Sequence, residues 1–121
     1  MDSYKDLSVW RESVLFVPSI YALNPRFPEE ERTVLWAEIR MAAISIPSRI
    51  AEGQSQSSRK EFLHLLSAAR GSLSRLQVLL ILSEQLGYIS PLELEALETG
   101  IGNIARPLNG LIAKVRSDVA R

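Results

Sequence analysis

The stretch Glu38-Ile-Arg-Met-Ala-Ala-Ile-Ser-Ile-Pro-Ser-Arg-Ile-Ala-Glu-Gly-Gln-Ser-Gln-Ser-Ser-Arg-Lys-Glu-Phe-Leu-His-Leu-Leu-Ser-Ala-Ala-Arg-Gly-Ser-Leu73 decides the fold. It holds two apolar patterns of helical period on either side of a short Gly/Ser/Gln connection. Leu35, Ile39, Ala42, Ile46 and Ile50 form the first stripe. Phe62, Leu66, Ala69, Leu73, Leu76 and Leu80 form the second. Gly53 reads as a left-handed helix terminator. Ser57 or Ser58 reads as the next N-cap, and Ser58 with Glu61 as a capping box. A connection this short makes the two helices antiparallel neighbours.

Placing the turn near Ser55 and Gln56 sets a register. Positions that face each other then sum to about 111–113. Ala42 and Ala43 come level with Gly71 and Ser72, beside Ala68 and Ala69. Small residues at one level let backbones approach. Gly71, otherwise costly inside a helix by about 1 kcal/mol against Ala, is expected to serve that approach. Gly71→Leu is then expected to overpack.

Two further helices flank the hairpin. Leu7, Trp10, Val14, Val17 and Tyr21 repeat at 3-4-3-4 spacing, with Ser3 or Asp6 as cap and Pro18 as the site of a kink. Asn24 to Pro28 ends this helix. Pro28 and the acids Glu29, Glu30 and Glu31 suit the start of the second, and Pro47 is expected to bend it. Gly87 closes the third. Ser90, Pro91 and Glu93 open the fourth with a cap, a first-turn proline and a capping-box acid. Its stripe is Leu97, Ile101, Ile104, Leu108, Leu111 and Val115, interrupted by Pro107. Ser117 to Arg121 are expected to fray. The whole reads as one all-α domain over residues 1–121, an up-down-up-down antiparallel four-helix bundle.

Composition limits the function. The 121 residues contain no cysteine, which excludes disulfides and thiolate chemistry and fits a reducing compartment. The N-terminus MDSYKDLSVW lacks the basic region of a signal peptide. The longest apolar run, Val78 to Leu82, is short for a membrane span. A cytoplasmic protein without a membrane partner is expected. Fourteen basic residues balance fourteen acidic ones, whereas strong nucleic-acid binders usually carry a basic excess. Residues 28–53 carry a net charge of −2 and residues 54–87 of +2. A mean hydropathy of +0.05 is high for a small bundle and points to apolar surface covered in an oligomer. The third helix is apolar on several sides, and Leu63, Leu79, Leu82 and Leu86 are the candidate subunit interface.

Several words of the sequence also resemble one family. These are YKDLSVW and IY near the N-terminus, FPxxE (Phe27, Pro28, Glu31), SIPxxIAEG (Ser45 to Gly53), SxxxFLxxLxxAxGSL (Ser58 to Leu73) and GYI (Gly87 to Ile89). Over roughly residues 4–90 the chain is similar to the 23S rRNA-intervening sequence proteins. The resemblance implies a four-helix bundle that assembles as a ring-like homopentamer. It also implies a likeness to the accessory variability determinant of diversity-generating retroelements, which binds a reverse transcriptase and nucleic acid. Where the family commonly has a second basic residue, this chain has Met41, and where it has an acid, Arg75. The register brings Glu38 opposite Arg75, so a reversed ion pair is expected between them.

No catalytic constellation is present. His64, the one histidine, is expected partly buried within the third helix with a single hydrogen bond. The serines of SQSS are turn and cap residues, and the Glu29–Glu31 run has no metal-ligand spacing. We expect no enzyme, cofactor or metal. The leading reading is an oligomeric scaffold or adaptor for a protein partner, its surface drawn from Arg49, Arg59, Lys60 and Arg70. The other is a nucleic-acid-binding accessory protein using the same cations as a basic rim. Trp10 and Trp36 are expected in the core or an interface rather than stacked on bases.

Overall fold

The computed structural model describes residue 4, residues 7–56 and residues 58–121. Four α-helices carry the chain: α1 (Ser8–Tyr21), α2 (Leu35–Gln54), α3 (Arg59–Gln85) and α4 (Pro91–Ala120). No strand occurs among the described residues.

Helices α3 and α4 follow their sequence signals closely, and α2 follows its apolar stripe. The stripes of α2 and α3 named above are buried throughout. In α4, Leu97, Ile101, Ile104, Leu108 and Val115 are buried, with Ile112 completing the stripe and Leu111 half-buried. The Ser58 hydroxyl accepts from the Glu61 N–H at 3.2 Å and caps α3. Ser90 and Glu93 form the reciprocal capping box of α4, which satisfies two orphan N–H groups at once. Gly87 takes a positive φ of 82° and turns the chain after α3, as only glycine does cheaply. Ser3, Asp6 and Ser57, the other capping candidates, lie outside the described residues; Leu7 occupies the N-cap of α1 without a side-chain bond.

Pro18, Pro47 and Pro107 lie inside α1, α2 and α4, as expected. Other expectations are corrected. Gly53 lies inside α2 rather than ending it in a left-handed turn. Pro28 and the three glutamates do not open α2. Asn24–Arg26 and Glu29–Glu31 form short 3₁₀ turns, and α2 starts only at Leu35. Side-chain bonds favour that detour. Arg32 donates to Asn24 at 2.8 Å, and Glu31 accepts from the Leu35 N–H at 3.4 Å. Ser117 to Ala120 remain helical, with Asp118 held by Arg59 and Arg121.

The helices stand in the cyclic order α1, α2, α3, α4, each packed on its two neighbours. Pairs of touching residues give the directions. Glu38 meets Arg75 across α2–α3. Arg59 meets Asp118, Arg70 meets Asn109 and Gln77 meets Glu98 across α3–α4. Tyr21 meets Trp36 between α1 and α2. Rising positions on α3 meet falling ones on α4, the start of α2 meets the later part of α3, and the end of α1 meets the start of α2, so these neighbours are antiparallel. Helix α3 is long and apolar enough by length and composition to cross a membrane, but eight of its residues face the core of this bundle.

The close approach within the hairpin sits at Gly53. A Cβ there would lie 2.9 Å from Phe62 Cδ1 and 3.1 Å from Leu65 Cβ. Ala42, Ala43 and Ala69 are buried and thin the interface further up, while Ser72 is half-buried. Gly71 is exposed, and a Cβ added to it meets nothing within 4 Å. The expectation that Gly71 packs against α2, and that Gly71→Leu overpacks, is therefore overturned. Residue 71 lies two positions before the buried Leu73, which turns it about 160° away from the core.

Candidate functional site

The four candidate cations do not converge. Arg59 donates to Asp118 at 2.9 Å and lies over the Phe62 ring at 5.3 Å. Arg70 donates to Asn109 at 3.4 Å. Both therefore lean toward α4. Lys60, one position on from Arg59, points about 100° away and borders a shallow hollow with Ser58, Glu61 and His64. Arg49 lies on α2, 3.9 Å from Glu52. Each of the three arginines already faces a carboxylate or amide oxygen. The acid facing Arg59 is 59 positions away in sequence, so the segment charge balance gave no sign of it.

Electrostatics at the far end of the chain follow from these pairs. Hydrogen bonds from Arg59 and then Arg121 hold the Asp118 carboxyl below the usual carboxylate range. Glu93 is lowered too, first by the Ser90 N–H and then by Arg26. His64 is exposed, contrary to the expected partial burial. Among the described residues no group of three His, Asp or Glu side chains is placed to hold a metal ion.

The words of sequence at the opposite end prove to be one clasp. Phe27 stacks on Trp36 at 4.9 Å and tilts against Tyr88 at 5.4 Å. The Tyr88 hydroxyl donates to Glu31 at 2.9 Å, and that bond raises the Tyr88 pKa above its ordinary value. Arg40 covers the Trp36 ring at 5.4 Å and donates to the Arg32 carbonyl at 3.0 Å. Thus FPxxE and GYI, 57 residues apart at their hydrogen bond, lock the α1–α2 connection onto the α3–α4 turn. Trp36 is fully buried, and among the described residues its indole N–H finds no acceptor. It is a core residue, out of reach of any nucleobase. Trp10 is half-buried, edge-on to Tyr4 at 5.0 Å.

The surface also carries large apolar side chains. Of the four leucines expected at an interface, Leu82 and Leu86 are 45% and 58% exposed. Leu63 and Leu79 instead pack on the edge of the core. Val78 and Ile81 take their place, at 55% and 37% exposure. The helical turn explains this. Gly71, Arg75, Val78 and Leu82 follow at 4-3-4 spacing and share one outward stripe, while Leu63 and Leu79 fall on its two flanks.

A second apolar surface lies between α1 and α2. The stripe predicted for α1 is rotated from the true one: Val9, Ser13 and Ile20 are buried, whereas Val14 and Tyr21 are exposed. Helix α1 is apolar on more than one side, so two stripes fitted the helical period equally well. The turned-out Val14, Val17 and Pro18 face Ile44, Pro47 and Ser48 of α2 across a groove of about 400 Å³. Met41 on the outward side of the same α2 and Val34 at its N-cap are 66% and 60% exposed. Exposed apolar side chains thus occur on three helices. Apolar side chains grouped at a surface mark interaction sites.

Comparison with known proteins matches residues 5–110 to the profile of the 23S rRNA-intervening sequence proteins. No curated protein matches the chain.

Proposed function

The chain therefore belongs to the 23S rRNA-intervening sequence protein family, and on that premise we propose that it acts by association rather than catalysis. It is a four-helix scaffold that assembles with copies of itself and holds a protein partner. The observation that carries this reading is the exposed apolar surface over α1, α2 and α3. Such surface costs free energy in water, at roughly 25 cal/mol per Å², and is recovered by docking. The subunit number we attach to the assembly is five, from the family resemblance. Repetition of one weak site round a ring raises avidity for a symmetric or polymeric partner. The compartment we propose is the cytoplasm.

A protein partner is preferred to nucleic acid because Arg59 and Arg70 already face an acid and an amide on α4. Phosphate binding draws on unneutralised cations. The likeness to the retroelement accessory protein supports the other reading and sets the control. The test is light-scattering mass on protein purified without nuclease, with absorbance read at 260 and 280 nm. A mass near five chains with clean protein absorbance is expected. Excess 260 nm absorbance, salt-sensitive and lost in Arg59→Glu/Lys60→Glu, would replace the protein partner with nucleic acid. A single-chain mass would end the scaffold reading.

A further inference from the structure

The connection between α1 and α2 is built to start a helix and does not. Pro28 holds the extended backbone of an N-cap, at φ −72° and ψ 166°, and Glu29, Glu30 and Glu31 follow it as a first turn. Acids there suit the positive end of an α-helix. Arg32 is already in the right-handed helical region, at φ −62° and ψ −32°. Yet α2 begins only at Leu35, after Val34 at φ −118° and ψ −97°. The bonds of this segment are of the tighter 3₁₀ kind, from the Arg32 N–H to Glu29 and from the Val34 N–H to Glu31. Passing each N–H to the carbonyl one residue further back would make residues 29–54 a single helix. Glu31 marks the exchange. Its carboxylate takes the Leu35 N–H, which its own backbone carbonyl would take in a continuous helix. The same carboxylate accepts from the Tyr88 hydroxyl.

We propose that residues 28–34 are a two-state strap, folded back as 3₁₀ turns while Phe27 is docked on Trp36 and continuous with α2 once Phe27 leaves. The two states exclude each other. In a continuous helix about 13 Å of axis would part residues 27 and 36, at 1.5 Å per residue. Rings stacked at 4.9 Å need the chain to fold back instead. Burial of Phe27 against Trp36 and Tyr88 holds the strap closed. The Trp36 indole favours opening. It is fully buried, and among the described residues its N–H finds no acceptor. A buried donor left unpaired carries a cost that access to water removes. Thr33 and Val34 are exposed, so core packing of their side chains does not enforce the interruption. Opening uncovers Trp36 and Tyr88, which makes the strap a cover over an aromatic surface beside Arg40. The strap acts within one chain and holds whether or not the chain assembles.

Two variants of the full chain, followed by NMR, test the strap. Phe27→Ala removes the anchor of the closed state, and the Cα chemical shifts of residues 29–34 are expected to move to helical values. Shifts that move to random-coil values, or stay as in the wild type, would overturn the proposal. Thr33→Ala/Val34→Ala leaves the clasp untouched and raises helix propensity alone. Hydrogen exchange of the Trp36 indole N–H is then expected to quicken about fivefold, in proportion to the open population. The backbone amide of Leu66, buried in the core, serves as the reporter of global unfolding and is expected to exchange no faster. A clasp with a purely structural role gives the opposite result, an indole that exchanges no faster than before, and that outcome overturns the strap. So does an indole that quickens only in step with Leu66. Should Phe27→Ala fail to fold, the exposed alanine pair decides alone.

Discussion

On the inner face of the α2–α3 hairpin, Ile39, Ile46, Leu66 and Leu76 are at most 1% exposed, whereas on its outer face Met41, Val78 and Leu82 remain 45–66% exposed. The residue types are nearly the same, and so is the helical period. What differs is the opposing surface. The inner face meets α1 and α4 and excludes water; among the described residues no other element covers the outer face. Apolar character therefore marks a surface that wants burial without saying whether the chain itself supplies the cover. The two hairpin glycines repeat the contrast. Gly53 admits Phe62 and Leu65, and Gly71 admits nothing.

The largest effect expected is at the inner face. Leu66→Ala should cost about 2–5 kcal/mol of folding free energy, through lost burial and a residual cavity. Leu82→Ala should cost well under half of that in the single chain, since much of the side chain is already wet. Urea unfolding of the two variants, compared at a concentration where no assembly forms, decides it. Equal losses would erase the distinction between faces.

The glycines give the next step down. Gly53→Ala is expected to destabilise by about 1–3 kcal/mol, because Phe62 and Leu65 must shift. Gly71→Ala is expected to stabilise the single chain by up to about 1 kcal/mol, the helix propensity difference. Thermal melts of the pair should move in opposite directions. A melt in which Gly71→Ala falls as far as Gly53→Ala would return residue 71 to the packed interface.

Acid stability compares the two ends of the bundle. Glu93 serves the clasp end and Asp118 the hairpin end, and both carboxyls are lowered in the fold. A lowered carboxylate contributes stability that is fully present above its unfolded pKa and is lost as pH falls through the folded one. The melting temperature should thus hold from neutrality down to about pH 5 and decline below about pH 4. In Glu93→Gln the acid decline should be shallower; an unchanged slope would remove Glu93 from it. Tyr88 works in the other direction. Its raised pKa supports the fold below about pH 10 and is lost above that.

The smallest effect belongs to the Glu38–Arg75 pair on the outer face. Both side chains are about half exposed, and a double-mutant cycle should return about 0–1 kcal/mol. A larger coupling that appears only in the assembled protein would show that association buries the pair.

Much of the fold was legible because it depends on local rules. The buried stripes of α2, α3 and α4, the Ser58 and Ser90 caps and the stop at Gly87 follow from period and backbone chemistry. The facing of Glu38 and Arg75 followed from counting outward from a turn. Register alone could not orient α1, where Val14 and Val9 lie on competing stripes of equal period. Nor could it place Leu63 and Leu79, whose burial depends on neighbours from α4 and α2. The candidate cations were visible as residues, but Asp118 and Asn109 as their partners were not.

By itself, the sequence determined that this chain forms four helices, that they pack as antiparallel neighbours and where α3 and α4 start, since hydrogen-bond periodicity, caps and short connections act over a few residues. Only the tertiary structure decided which apolar side of α1 faces inward, that Gly53 rather than Gly71 is the point of close approach, and that Arg59 and Arg70 turn to α4. Those outcomes depend on contacts between positions tens of residues apart, where volume and charge are matched in space and leave no periodic trace in the chain.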